Sequence, residues 1–302
     1  MLTFDQYLTP QSLDEAFDAL HNIPASRLLA GATDLLPWAR EGRAGDVHLP
    51  AVIDISRIAE LCGVSQEGAR IRIGATTPIS ALQHHPLLQQ QAPVLGSCAL
   101  WFADDQIREQ ATVGGNLVNA SPAGDTQPAL LALNTHVTLA RRESGRILER
   151  SVPLSEFILG PSRTLLQAGE ILLRLEFDAL PHHGVSFEKV GHRRSLAIST
   201  VCIATLVRID THKRIDDLRI AIGAVGPVPE RLTDIEDLIT GVKPTPAALR
   251  DASLRVADRV RSRSRQSYRR EVLSNFVERS LNTALAHAGL DLPRLPKESE
   301  YV

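Results

Sequence analysis

The stretch Ala111–Asp125, reading Ala-Thr-Val-Gly-Gly-Asn-Leu-Val-Asn-Ala-Ser-Pro-Ala-Gly-Asp, constrains this chain more than any other. Adjacent glycines, Gly114 and Gly115, permit backbone conformations with φ > 0 and let another group come close to bare N–H groups. Thr112, Asn116 and Ser121 add short-range donors and acceptors. Successive backbone N–H groups of this kind form an anion-binding concavity, so the stretch predicts a loop that cradles a diphosphate. A tight turn with polar trim satisfies the same letters, and the glycines alone do not choose between the two.

A second stretch lies upstream at Leu28–Leu36, reading Leu-Leu-Ala-Gly-Ala-Thr-Asp-Leu-Leu. An apolar pair, small residues, Thr-Asp and a return to apolar residues predict a buried strand, a phosphate-hugging turn and a returning element. Neither stretch is the G-x-G-x-x-G of a Rossmann unit or the Gly-Lys-Ser/Thr of a P-loop. Neither signature occurs elsewhere in the chain.

Composition removes several classes of function. The 302 residues suffice for about two domains. Lys+Arg 33 against Asp+Glu 35 gives a net charge of −2, so nothing global points to nucleic acid or an anionic membrane. No apolar run reaches the length of a membrane span. The opening Met1–Tyr7 has no basic segment followed by an apolar one, so no secretory signal is expected and the cytoplasm is the default compartment. Cys62, Cys98 and Cys202 are scattered, with no Cys-x-x-Cys, which argues against a disulfide framework and against a zinc or iron–sulfur site in this chain. The pairs His84-His85 and His182-His183 lack a supporting carboxylate cluster and are not read as metal ligands. The arginine-rich stretch Arg255–Arg270 reads as a solvated helix face or a subunit contact rather than a nucleic-acid patch. No nucleophile–base pair or hydrolytic metal motif is present.

Along the chain, Ser12 with Glu15 forms a capping box ahead of a helix carrying Leu13, Ala16, Phe17 and Leu20. Strands are expected near Arg27–Ala30, Ala51–Ile55 and Ala69–Gly74. Thr77-Pro78 predicts a helix with proline at its first position, running to about Gln90. Another helix is expected over Pro93–Phe102, and strands over His136–Ala140 and Ile171–Phe177. Asp178–Gly184 is the best linker. Beyond it come strands at Thr200–Ile209 and Leu218–Val225, a second capping box at Thr233 and Glu236, and helices over about Pro246–Val260 and Tyr268–His287. Strands and helices mix without regular βαβ alternation, as in α+β folds.

The two glycine stretches, in this order, resemble those of the FAD-binding subunits of the xanthine dehydrogenase family of molybdenum hydroxylases, including the medium subunit of carbon monoxide dehydrogenase. That family carries an A-G-G-T/H-S/D loop, then T-I-G-G-N followed by A-S-P-x-x-D. Here the first reads Ala30-Gly31-Ala32-Thr33-Asp34, with Ala32 where a second glycine is common; the second reads Thr112-Val113-Gly114-Gly115-Asn116, then Ala120 to Asp125. The resemblance implies an α+β fold: a PCMH-type FAD-binding domain of two αβ subdomains over residues 1–177, then a smaller αβ domain of the CO dehydrogenase flavoprotein C-terminal type over residues 178–302.

It also implies a set of cofactor-binding residues. Leu29, Ala30, Gly31, Ala32, Thr33, Asp34 and Leu35 come from the first loop. Thr112, Gly114, Gly115, Asn116, Ser121 and Asp125 come from the second, with Asp125 reaching a ribose or ribityl hydroxyl. The family's W-F-A matches Trp101-Phe102-Ala103, making Phe102 the residue that stacks on the isoalloxazine ring, with Trp101 behind it. By the same match Leu172 presents a leucine to the cofactor. Lys189, in Phe187–Arg194, sits near the N1–C2=O edge of the ring, and Ala197 stands where aspartate is frequent.

No histidine or cysteine lies within either loop, so the FAD is expected to be non-covalent. The resemblance implies an electron-transfer subunit of a heterotrimer, with molybdopterin on a large partner subunit, [2Fe-2S] clusters on a small one, and NAD or another external electron acceptor. A self-sufficient FAD-dependent oxidoreductase with its own substrate pocket is the alternative.

Overall fold

The computed structural model of the chain describes residues 2–41, 47–193, 196–262 and 264–293. Arg194, in a segment singled out above, lies outside them. Among the described residues, three sheets of three or more strands and one two-stranded hairpin form the framework. The first is parallel, with β1 (Leu2–Leu8), β2 (Arg27–Leu29) and β3 (Val47–Asp54) in the order β1-β3-β2. The helix Leu13–Asn22 covers it and buries Ala16 and Phe17 in a cluster with Ile53, Ile58 and Leu61. Ser12 caps that helix as its sequence predicts, accepting from the Glu15 N–H at 3.2 Å.

The second sheet holds β4 (Val64–Glu67), β5 (Arg70–Gly74), β6 (His136–Glu143), β7 (Arg146–Pro153) and, beyond a small hairpin of β8 (Ile158–Gly160) and β9 (Arg163–Thr164), β10 (Ile171–Asp178). Its order is β4-β5-β10-β6-β7, every pair antiparallel. The alternation read at Ala69–Gly74 places Ile71 and Ile73 in the core and the arginines outward.

The third sheet is antiparallel and runs β11 (Gly184–Gly191), β12 (Ser199–Ile209), β13 (Ile215–Gly223), β14 (Glu230–Arg231). The long helix Gln266–His287 covers one face. Leu273, Phe276, Val277, Leu281 and Leu285 are buried there, each contributing about 1.5–3 kcal/mol by area burial. The helices Pro93–Trp101 and Thr126–Ala132 also pack against this sheet and join it to the core of the second. The whole is the α+β arrangement implied by the sequence.

Several local expectations change. The helix expected from Thr77 to Gln90 is two helices, Ile79–His84 and Pro86–Gln91, with Pro78 as N-cap in extended geometry. Pro86 disfavours helical geometry at the residue before it, and His85 is extended at ψ 121°. The expected capping box at Thr233 is not formed: Leu232 is the N-cap, and Glu236 accepts instead from the Ile220 N–H at 2.7 Å and from Arg231. The glycine stretch expected as a loop is a helix, Val113–Asn119, with Thr112 as its cap.

Candidate functional site

That short helix forms the floor of an open cleft. Its first-turn donors are all spent within the chain: Val113 N–H donates to Thr77 (3.0 Å), Gly114 to Ala75 (2.8 Å), Gly115 to the Thr112 hydroxyl (3.1 Å) and Asn116 to the Thr112 carbonyl (2.9 Å). The expectation that Gly114 and Gly115 offer bare N–H groups to a diphosphate is therefore corrected. Their glycine character serves close packing: a Cβ on Gly114 would lie 2.7 Å from the Ala75 carbonyl oxygen, and one on Gly115 would lie 2.7 Å from the Thr112 hydroxyl. Gly115, Asn116 and Thr112 line the cleft; Gly114 faces the core below it.

The free donors belong to the first loop. The backbone N–H groups of Gly31, Ala32, Thr33 and Asp34 have no hydrogen-bond acceptor among the described residues. Ala32 has a left-handed φ of 56° and Asp34 lies in the right-handed region; consecutive N–H groups without an internal acceptor are the donor set that an anion-binding turn uses. Gly31 is pressed against the Gln110 carbonyl, where a Cβ could not fit. Asp34 does not cap the helix Leu35–Arg40; it accepts from the Asn119 amide at 2.9 Å. That bond ties the two stretches together, and burial pushes the Asp34 carboxyl above its ordinary value.

Leu29, Ala30, Gly31, Ala32, Thr33, Asp34, Leu35 and Phe102 all line this cleft. It also takes in residues that were not expected among the cofactor contacts. Trp38 lies one helical turn beyond Asp34 and adds a second aromatic wall. Arg27 brings a guanidinium with no ion-pair partner among the described residues. Asn119 and Ser162 also line it, the Ser162 N–H donating to the Ala120 carbonyl at 3.0 Å. Trp38 and Asn119 are legible from helical spacing; Ser162, from a distant hairpin, has no local signal.

Lys189 and Trp101 lie elsewhere, on a second cleft beyond Phe102 that Leu100, Arg108, Arg193 and Ala197 also line. Trp101 is half exposed there rather than packed behind Phe102. Lys189 donates to the Asp125 carboxylate at 2.6 Å and to the Trp101 carbonyl at 3.0 Å. Ser199 donates to the other Asp125 oxygen at 2.6 Å. Burial pushes the Asp125 carboxyl up, against the pull of Lys189 and Ser199. Asp125 is thus held inside the chain rather than offered to a hydroxyl, and it lines neither cleft. Leu172 is buried in the second sheet and Ser121 bonds the Ala123 N–H at 3.3 Å; neither lines a cleft.

Features set aside in the sequence take structural places. His183 bonds Asp217 at 3.0 Å. Within the arginine-rich stretch, Arg259 pairs with Glu230 at 2.9 Å and Arg255 with Asp251 at 3.0 Å. Among the described residues, no three His, Cys, Asp or Glu side chains form a metal cluster, and no helix is long and apolar enough to cross a membrane.

Comparison with known proteins shows the family. Residues 2–179 match the family described as the FAD binding domain in molybdopterin dehydrogenase, and residues 186–284 match the CO dehydrogenase flavoprotein C-terminal domain. The carbon monoxide dehydrogenase medium chain of Hydrogenophaga pseudoflava is 30% identical over 93% of this chain and 97% of its own length. The xanthine dehydrogenase FAD-binding subunit of Escherichia coli O157:H7 is 29% identical over 96% of this chain and 99% of its own. The solved carbon monoxide dehydrogenase from Hydrogenophaga pseudoflava superposes with a TM-score of 0.85 at 28% identity, covering 93% of this chain and 97% of the other. The chain therefore belongs to the FAD-binding flavoproteins of the molybdopterin dehydrogenases, a family of oxidoreductases.

Proposed function

We propose that this chain is the electron-transfer subunit of a three-subunit molybdenum hydroxylase. In that reading it takes electrons from [2Fe-2S] clusters on a small partner subunit, which receive them from a molybdopterin-bearing large subunit. It delivers them to NAD or another external acceptor, in the cytoplasm. Residues 1–177 form the FAD domain and 178–302 the smaller second domain. The bound flavin supplies a centre that accepts electrons singly and releases them in pairs.

The observation that carries the reading is the row of four unpaired N–H groups at Gly31–Asp34, tied to a helix floor that has none to spare. A diphosphate there would gain charge-assisted hydrogen bonds, each worth about 1.5–3 kcal/mol. Arg27 adds positive charge at the rim. Thr112, Gly115 and Asn116 form the floor, and Gly114 lets that floor sit close to the chain beneath it. Phe102 and Trp38 give two aromatic surfaces to a molecule with two planar ring systems. Ser121, Asp125, Leu172 and Lys189 act from behind, by fixing the frame.

The test is co-expression with a molybdopterin subunit and a [2Fe-2S] subunit. The proposal expects a stable complex in which the organic substrate bleaches the flavin, while the isolated chain binds FAD but turns over no such substrate. Steady turnover by the purified chain alone would contradict it and favour a self-sufficient FAD oxidoreductase.

A further inference from the structure

We infer that Thr126 is a positioning residue for the cofactor: its hydroxyl pins the Asn116 carboxamide so that the amide NH2 faces a phosphate oxygen of the dinucleotide. The inference rests on the FAD reading of the cleft. Thr126 has no exposed surface, and its Oγ1 donates to Asn116 Oδ1 at 2.6 Å. Asn116 lines the cleft, and its Nδ2 has no acceptor among the described residues. The backbone donors in the first turn of its helix are spent, so this amide and the Thr112 hydroxyl, which only accepts within the chain, are donors that the floor can give to an anion.

An amide left free to turn presents either its donor or its acceptor end, and an anion in the cleft is repelled by the acceptor. Occupation of Oδ1 by the hydroxyl leaves the donor end for the ligand. Fixing the group before binding removes the cost of ordering it afterwards. Thr126 is itself placed from the other side. Asp125, its neighbour, is held by Lys189 and Ser199, and the helix Thr126–Ala132 packs on β12 and β13. The third sheet thereby sets the orientation of an amide in the cleft of the first.

The experiment measures the dissociation constants of FAD and ADP for the flavin-free full chain. Thr126→Val is expected to weaken both about ten- to a hundredfold, the loss of one hydrogen bond to a charged group. Thr126→Ser keeps the hydroxyl and is expected to match the wild type. Asn116→Ala is expected to weaken both ligands, and adding it to Thr126→Val to cost little more, since the two act through one bond. Wild-type affinity in the valine variant, failure of serine to rescue, or full additivity would overturn the inference. If the valine variant does not fold, the serine and alanine variants decide: serine at wild-type affinity with alanine weakened on both ligands supports it, and any other pattern overturns it. A wild-type chain without affinity for FAD would instead remove the reading on which the inference stands.

Discussion

Lys189 and Asp125 form an ion pair at 2.6 Å with both side chains almost wholly inside the protein. Their union joins β11 of the third sheet to the loop that follows the cleft floor. Burial of two charges is costly, and it is offset here because the Trp101 carbonyl accepts a second hydrogen bond from the ammonium and the Ser199 hydroxyl donates to the other carboxylate oxygen. Removal of one partner leaves the other buried and unpaired. Lys189→Met is therefore expected to lose about 3–5 kcal/mol in urea unfolding, with the double variant Lys189→Met, Asp125→Leu recovering much of the loss. A loss below about 1 kcal/mol in the single variant, the range of an exposed pair, would show that the pair is solvated.

The first loop makes a contrasting pair of predictions. Gly31 abuts the Gln110 carbonyl, where no Cβ fits, while Ala32 already holds a left-handed φ of 56°. Gly31→Ala should abolish flavin retention. Ala32→Gly should keep the flavin and relieve a backbone cost of about 1–2 kcal/mol, offset in part by the greater freedom of glycine when unfolded. The flavin content of the two purified variants and the thermal melt of holo Ala32→Gly check this; similar flavin content in both variants would mean that the loop is not held as described.

Glu170 gives a pH prediction. Arg150 grips its carboxylate at 2.7 and 2.8 Å, and the Gln167 N–H adds a third bond. Those bonds hold the Glu170 carboxyl below the usual carboxylate range, Arg150 first. A depressed folded value adds stability that is present above the unfolded value of about 4.3 and is lost as pH falls through the lower folded one. Glu170→Gln should therefore cost about 1–3 kcal/mol at pH 7, with the gap from wild type closing below about pH 4. A gap that stays constant down to pH 3 would assign the loss to packing.

Phe102 is expected to matter to the flavin more than to the fold. It is half-buried, resting on the core while lining the cleft. Phe102→Ala should shift the flavin absorbance and cost about 0.5–1.5 kcal/mol of cofactor affinity beyond area burial. An unchanged spectrum in an otherwise folded variant would leave Phe102 a core residue.

Much of this was legible in the sequence, because periodicity and glycine pairs act locally. Leu13, Ala16 and Phe17 announced their helix, and Ile71 and Ile73 their strand. The donor assignment was not. Gly114 and Gly115 look like an anion loop by composition, yet their N–H groups go to Ala75 and Thr112. One of those acceptors comes from a strand end far along the chain, which no local pattern reveals. The partners of Asp125 were hidden for the same reason: Lys189 and Ser199 lie 64 and 74 residues away, and only the folded third sheet brings them in.

The most direct test of the account is the visible spectrum of the purified chain before and after acid precipitation. The account predicts a yellow protein that releases one FAD per chain into the supernatant, because the cleft offers hydrogen bonds and aromatic surfaces and its first loop has no histidine or cysteine to tether the ring. A colourless chain that added FAD does not convert, or flavin that stays in the pellet, would contradict it.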